Sequence, residues 1–324
     1  MTHRPHDSLF KSAFRQPENA AALARCHLPS SIDAQIRWST MALVSGSFVD
    51  QTLADRHSDL LFEVETEIGR TFVYLLFEHQ SSNHPRMPLR MLVYMVRIWE
   101  RFADDHESAL PPIIPFLICH TPDGWTSPRR FHELFTPLLE QAPELMQFVP
   151  DFRMLIDDLE HASDEELSER ALAAFAKITL WLLRDGRHPS RFVTSMSNWV
   201  RGLDELVGAP NGLAALHSVV RYITLVRNDQ MTWDAFRANL HELAPAAEPK
   251  VMTLAEKWFN EGKAEGKAEG LTLMLSKQLA LKFGELPLDA RARLASASLD
   301  ELDLWAERVL AATTLAEVFA EPAR

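Results

Sequence analysis

Ser58 to Ser81 reads SDLLFEVETEIGRTFVYLLFEHQS, and this stretch decides how the first third of the chain folds. Two runs rich in Phe, Val, Leu and Tyr flank Ile68-Gly69, where the glycine can take the positive φ of a tight turn. An antiparallel hairpin centred there pairs residues whose numbers sum to 137. Asp59 then stands opposite Glu78. Because successive side chains in a strand point to opposite sides, Leu60, Phe62, Val64, Val73, Leu75 and Phe77 share one face, the expected core face. Asp59, Leu61, Glu63, Glu65, Phe72, Tyr74, Leu76, Glu78 and Gln80 share the other. Directly opposed Cβ atoms lie ~4.5–5.5 Å apart, so two carboxylates there repel unless a cation separates them. Oxygen donors of this kind suit Mg²⁺ or Mn²⁺. Acidic residues on the solvated side of an ordinary hairpin are the competing reading.

The residues beyond the hairpin bear on that choice. Pro85 and Pro88 suit a helix entry, and Leu89 to Phe102 has helical apolar spacing. Arg86, Arg90, Arg97 and Arg101 fall on one narrow stripe of that helix. They form either a strip for phosphates or a solvated surface. Pro112 to Cys119 reads as a further buried strand ending at His120. Strand, hairpin, helix and strand after an initial helix make an α/β arrangement.

The rest of the chain is expected to be helical. Ser163 with Glu166, Thr253 with Glu256 and Ser298 with Glu301 have the spacing of capping boxes. The organisation expected is a core over residues 1–135, an all-helical region over 136–260, a linker over 261–270 and a small helical domain over 271–324. The linker, EGKAEGKAEG, carries glycine every fourth residue. Each costs about 0.8–1 kcal/mol relative to alanine in a helix, so in isolation the segment should be flexible, and the expectation is a joint that is frayed or helical depending on its neighbours. A dimerisation helix is the alternative, because the spacing is helical and Leu271, Leu275, Leu279 and Phe283 continue an i, i+4 stripe that needs a partner. Self-association is expected through these helical regions.

The 324 residues hold 33 Lys plus Arg and 45 Asp plus Glu, a net charge of −12. That sign excludes coating of nucleic acid by bulk electrostatics and leaves only local basic strips. The first 150 residues are acidic too, with 13 Lys plus Arg against 18 Asp plus Glu. Cys26 and Cys119 cannot make a disulfide framework or a four-ligand zinc site, which points to a reducing compartment. With no signal-like N-terminal stretch and no ~20-residue apolar run, a cytoplasmic protein away from membranes is expected.

His6 to Phe14 (HDSLFKSAF), His27 to Pro29 (HLP), Ser47 to Asp50 (SFVD), Ser58 to Phe62 (SDLLF), Leu76 to Ser81 (LFEHQS) and the following LRMLVYMVRIWER resemble the Rpn family. These are the recombination-promoting nucleases, also described as YhgA-like transposases. The resemblance covers residues 6 to about 135, and the C-terminal segment resembles the short helical domain that commonly ends such proteins. It implies a PD-(D/E)XK nuclease fold, a mixed sheet flanked by helices. It assigns Asp59 and Glu78 to metal binding and catalysis, with the backbone carbonyl of His79 as a third ligand, and Gln80 to the position usually held by lysine. Asp7, Lys11 and Tyr94 are auxiliary candidates. The implied activity is Mg²⁺-dependent hydrolysis of DNA phosphodiesters, with Mn²⁺ or Ca²⁺ as substitute ions, linked to recombination or transposition-like processes. Arg86, Arg90, Arg97 and Arg101 would hold DNA phosphates. Because glutamine lacks lysine's charge, a catalytically weak or inactive DNA-binding or scaffold protein on the same fold is the alternative. Strand transfer by a true transposase is not expected, since no separate DNA-binding domain is recognisable.

Overall fold

The computed structural model describes residues 5–44, 60–67, 72–80, 82–105, 109–227 and 229–320. The described strands form a five-stranded sheet in the order β1 (Ala42–Leu43), β2 (Leu60–Glu65), β3 (Phe72–Gln80), β4 (Ile113–Cys119) and β5 (Leu155–Asp158). β1, β2 and β3 are antiparallel neighbours, whereas β3, β4 and β5 run parallel. The change of direction follows from the connection: a hairpin-length link joins β2 to β3, and a helix joins β3 to β4.

The β2–β3 register is the one the hairpin predicts. Leu60 pairs with Phe77, Phe62 with Leu75 and Glu65 with Phe72, so every observed pair sums to 137. The Ile68-Gly69 turn lies outside the described residues. Leu60, Phe62 and Val64 are buried as expected. Phe62 and Phe116 are wholly enclosed, each contributing about 1.5–3 kcal/mol by burial. Leu61, assigned to the opposite face, is buried as well, because the helix α3 (Met87–Asp105) covers that face: Leu61 packs with Met95, Ile98, Phe102 and Ile113.

On the other side of the sheet lies α2 (Pro17–His27), whose His27 ring meets Phe116 at 5.2 Å. α1 (Pro5–Phe14) buries Leu9, Phe10, Ala13 and Phe14. It packs against α2 and against two later helices, α5 (Ala174–Asp185) and α8 (Gly212–Val226). Between these last, α4 (Asp164–Glu169) precedes α5 and starts with the Ser163–Glu166 capping box, and α6 (Pro189–Val200) and α7 (Gly202–Gly208) follow it. With α9 (Gln230–Leu243) they enclose Trp181, Phe192, Trp199, Tyr222 and Phe236.

Two expectations need correction. The sheet does not stop near residue 135: β5 lies inside the region expected to be all-helical. Four residues are too few to show a period, and the helical texture around them masks the strand. Thr253 starts no helix, because α10 (Glu248–Phe283) already includes it. The 261–270 joint takes the helical form of the two expected, as part of that 36-residue helix.

The chain divides into two compact units, Met1–Val251 and Met252–Arg324. In the second, Leu275 and Leu279 are buried, with Leu271 and Phe283 packed beside them. Their partners come from α11 (Leu288–Ser296) and α12 (Leu299–Ala311): Ala290, Leu294, Leu302, Trp305 and Val309. The stripe thus finds its partner in the chain's own last helices. Gly284, at φ +84°, ends α10 in the left-handed conformation that glycine adopts without strain. Ser298 and Glu301 form the expected capping box. No helix among the described residues is long and apolar enough to cross a membrane.

Candidate active site

Three of the candidate residues, Glu78, His79 and Gln80, occupy the carboxyl end of β3. In register, Glu78 stands beside Leu117, His79 beside Ile118 and Gln80 beside Cys119. The next strand places Asp158 beside Cys119. Strand alternation then puts positions 78 and 80 on the α3 side of the sheet, with Leu61, Leu117, Cys119 and Asp158. One further pair of the β2–β3 ladder would set position 59 against position 78. Asp59 itself lies outside the described residues.

Asp158 is the residue that sequence reasoning missed. Two strands away from Gln80, its backbone is about 10 Å distant on the same side. Its Oδ2 accepts hydrogen bonds from the Trp125 backbone N–H and from His161 Nδ1, both at 2.8 Å. Its Oδ1 is buried and accepts no hydrogen bond among the described residues. An enclosed carboxylate oxygen without a donor is an acceptor awaiting a water, a cation or a substrate group. The LIDDLE stretch offered no signal for this, since only the parallel register with β4 shows which of the two aspartates faces α3.

The turn after β4 is built around that carboxylate. Asn83 Nδ2 donates to the Gly124 carbonyl at 2.9 Å, and its Oδ1 accepts from the Thr126 N–H at 3.1 Å, so the segment after β3 is tied to the segment after β4. Thr121 Oγ1 closes the turn on the same carbonyl. Gly124 has φ +66°, and a methyl built on it would lie 2.1 Å from His161 Cε1 and 2.9 Å from Asp158 Oδ2. Glycine is therefore required twice over, for its dihedral and for its missing side chain. His161 is itself exposed, and the Asp158 hydrogen bond raises its pKa above the usual histidine value.

The arginine stripe divides. Arg86 lies just before α3 and is exposed, whereas Arg90, Arg97 and Arg101 are half-buried. Arg90 Nε donates to the Tyr94 hydroxyl at 2.8 Å. Tyr94 is buried with Leu117, Cys119, Met87 and Met91, which places the Arg90–Tyr94 pair at the site's end of the helix. Arg97 is two helical turns further on, about 10 Å along the axis, in the part of α3 that packs against Leu61 and Ile113. Asp7 and Lys11 are half-buried on α1. That helix reaches the sheet through His6, whose ring centroid lies 4.9 Å from that of His120, directly after β4.

Desolvation pushes the Cys26 and Cys119 thiols above the ordinary value, and for Cys119 the Thr121 hydroxyl at 3.3 Å offsets only part of that. Among the described residues no group of three His, Cys, Asp or Glu side chains is placed to hold a metal.

Residues 4–213 match the family described as "Putative transposase, YhgA-like". The chain belongs to that family. Among curated relatives, this YhgA-like protein is 27% identical to the inactive recombination-promoting nuclease-like protein RpnE of Escherichia coli K12, over 94% of this chain and 97% of the relative. It is 28% identical to recombination-promoting nuclease RpnA of the same strain, over 86% and 91%. Recombination-promoting nuclease RpnD of Escherichia coli O157:H7 is 26% identical over 80% and 96%. No solved structure matches.

Proposed function

We propose that this YhgA-like protein is a divalent-metal-dependent DNA endonuclease of the PD-(D/E)XK kind, acting in recombination or transposition-like processes. The observation that carries the proposal is the β2–β3 register, whose next pair would bring Asp59 and Glu78 together at the end of the sheet. The mixed sheet with helices on both sides suits that fold. The names of RpnA and RpnD support the nuclease reading.

Asp59, Glu78 and the His79 carbonyl are an oxygen-only donor set, which fits Mg²⁺ or Mn²⁺. When bound, such an ion lowers the pKa of a coordinated water and neutralises charge on the scissile phosphate. Gln80 orients the attacking water through its amide, without lysine's Coulombic contribution. Arg86 contacts a flanking phosphate, and Arg90 holds the Tyr94 hydroxyl against the sheet. Asp158 fixes the 121–126 turn, with its second oxygen left to a water or a substrate hydroxyl.

Plasmid nicking in Mg²⁺ tests this. Asp59→Ala and Glu78→Ala are each expected to lower the rate about a thousandfold, because several kcal/mol of transition-state stabilisation leave with the metal ligands. Nicking that persists unchanged in both variants sinks the assignment. A second reading, an inactive DNA-binding module, is favoured by Gln80 and by the description of RpnE as inactive. It predicts salt-sensitive DNA binding with no cleavage in Mg²⁺, Mn²⁺ or Ca²⁺.

A further inference from the structure

The outward side of α3 is not what a solvated helix presents. Its buried residues, Met87, Met91, Tyr94, Met95, Ile98 and Phe102, face the sheet. The exposed positions are Arg86, Leu89, Val93, Val96, Glu100 and Ala103, which succeed one another at alternating intervals of three and four residues. At 100° per residue they fill an arc of about 100° on the side opposite the core. That interval pattern is the seam of a coiled coil, where apolar side chains repeating every 3.5 residues meet those of a second helix. Leu89, Val93 and Val96, the middle of the seam, are 43, 40 and 40% exposed. An outward side is normally the charged one, yet here Arg90 and Arg97 lie half-buried on one flank and apolar residues take the outward line. On the other flank the half-buried Leu92 and Trp99 widen the apolar strip.

The two ends of the seam carry opposite charge. Arg86, whose carbonyl accepts from the Arg90 N–H at 3.1 Å, opens it, and Glu100 closes it about 21 Å further along the axis. Both are exposed, and neither charge is matched by an ion pair among the described residues. Two such helices side by side in parallel would set like charges together at each end, which is repulsive. Reversed, with paired residue numbers summing to 186, Arg86 of each copy meets Glu100 of the other, and Val93 lies on the two-fold axis. The same patch on both partners is the isologous contact of a two-fold dimer. Charge complementarity thus selects both the occupant of this face and its direction.

We propose that the outward face of α3 pairs with the same face of a second copy of the chain, antiparallel about a two-fold axis at Val93. The pairing is independent of the nuclease reading. Arg86 keeps the phosphate contact given to it above, because a guanidinium carries five N–H donors and can serve a carboxylate and a phosphate together. A seam of one helix per copy is smaller than a standard interface, so the dimer is reversible, with a dissociation constant in the micromolar range.

Sedimentation velocity of the full chain, without DNA or divalent metal, tests this between about 1 and about 100 µM, the range in which such an interface fills. A concentration-dependent dimer is expected. Val93→Glu, which sets two like charges at the axis, and Arg86→Glu, which sets glutamate against Glu100, are each expected to weaken it about tenfold or more. Arg86→Glu combined with Glu100→Arg exchanges the charges and is expected to restore it. Leu281→Glu, at an 88% exposed position of the C-terminal unit, is expected to leave it unchanged. All these side chains are exposed, and unfolding curves verify that the variants fold. The proposal is overturned if the parent sediments as a monomer throughout, or if folded Val93→Glu dimerises as the parent does. Failure of the charge exchange to recover what Arg86→Glu loses, or dissociation by Leu281→Glu, overturns it equally.

Discussion

The two sides of the sheet at the end of β5 carry adjacent aspartates with opposite fates. Asp157 points to the α2 side, is 1% exposed, and is met by Arg170 with two hydrogen bonds at 2.7 and 2.8 Å, while His27 Nε2 lies 3.4 Å from it. Asp158 points to the α3 side, where one oxygen holds a turn and the other is buried without a donor. One charge is spent on holding helices to the sheet, and the other keeps an acceptor in reserve. A fully matched carboxylate marks structure, and a half-matched one marks a place where chemistry can enter.

The comparison breaks first on stability. Asp157→Ala leaves the Arg170 guanidinium enclosed without its partner, and a loss of about 3–5 kcal/mol is expected in chemical unfolding. A loss below 1 kcal/mol would mean that Arg170 reaches solvent at little cost. The same residue sets an acid limit. Burial would raise the Asp157 carboxyl, but His27 and Arg170 outweigh it and hold the pKa below the ordinary value. Its contribution is therefore complete above about pH 4 and is lost as pH falls through the depressed folded value. Asp157→Asn is expected to flatten that acid limb, read as the unfolding midpoint against pH.

On the other side, Gly124→Ala sharpens the contrast. Left-handed backbone strain and the encounter with His161 are expected to cost about 1–3 kcal/mol, with the turn displaced from Asp158. Asp158→Asn is expected to act least on stability, within about 1 kcal/mol, because an amide oxygen still accepts from the Trp125 N–H. It should nonetheless lower nicking about tenfold, as expected for an orientation defect near the reacting centre. It should also return the His161 titration, followed by NMR, toward the ordinary histidine value. Equal stability losses in Asp157→Asn and Asp158→Asn would erase the distinction between the two sides.

Much of the sheet's first half was legible because alternation leaves little freedom: a one-residue slip would have turned Phe62 and Val64 to the wrong side. What the hairpin could not disclose is the cover on its second face. Leu61 is read as polar-side by alternation alone, and only Met95 and Ile98 of α3 explain its burial. The same limit applies to the arginines, whose angular stripe follows from spacing, whereas the depth of Arg90 depends on where Tyr94 packs. Asp158 was illegible because a parallel neighbour, not a local pattern, fixes its face. For residues 261–270, local propensity lost to context: helix on both sides removes the cost of starting a new one.

That continuity has a mechanical consequence. Thirty-six residues make a rod about 54 Å long, and its glycines at 266 and 270 border open space, so no contact at the glycines themselves offsets their intrinsic weakness. Ordinary helices loosen from their tips, but this one has its weakest backbone in its middle. Local opening is therefore expected to begin at these glycines, inside Met252–Arg324, so that amide hydrogens in the middle of the rod exchange sooner than those of the turns on either side.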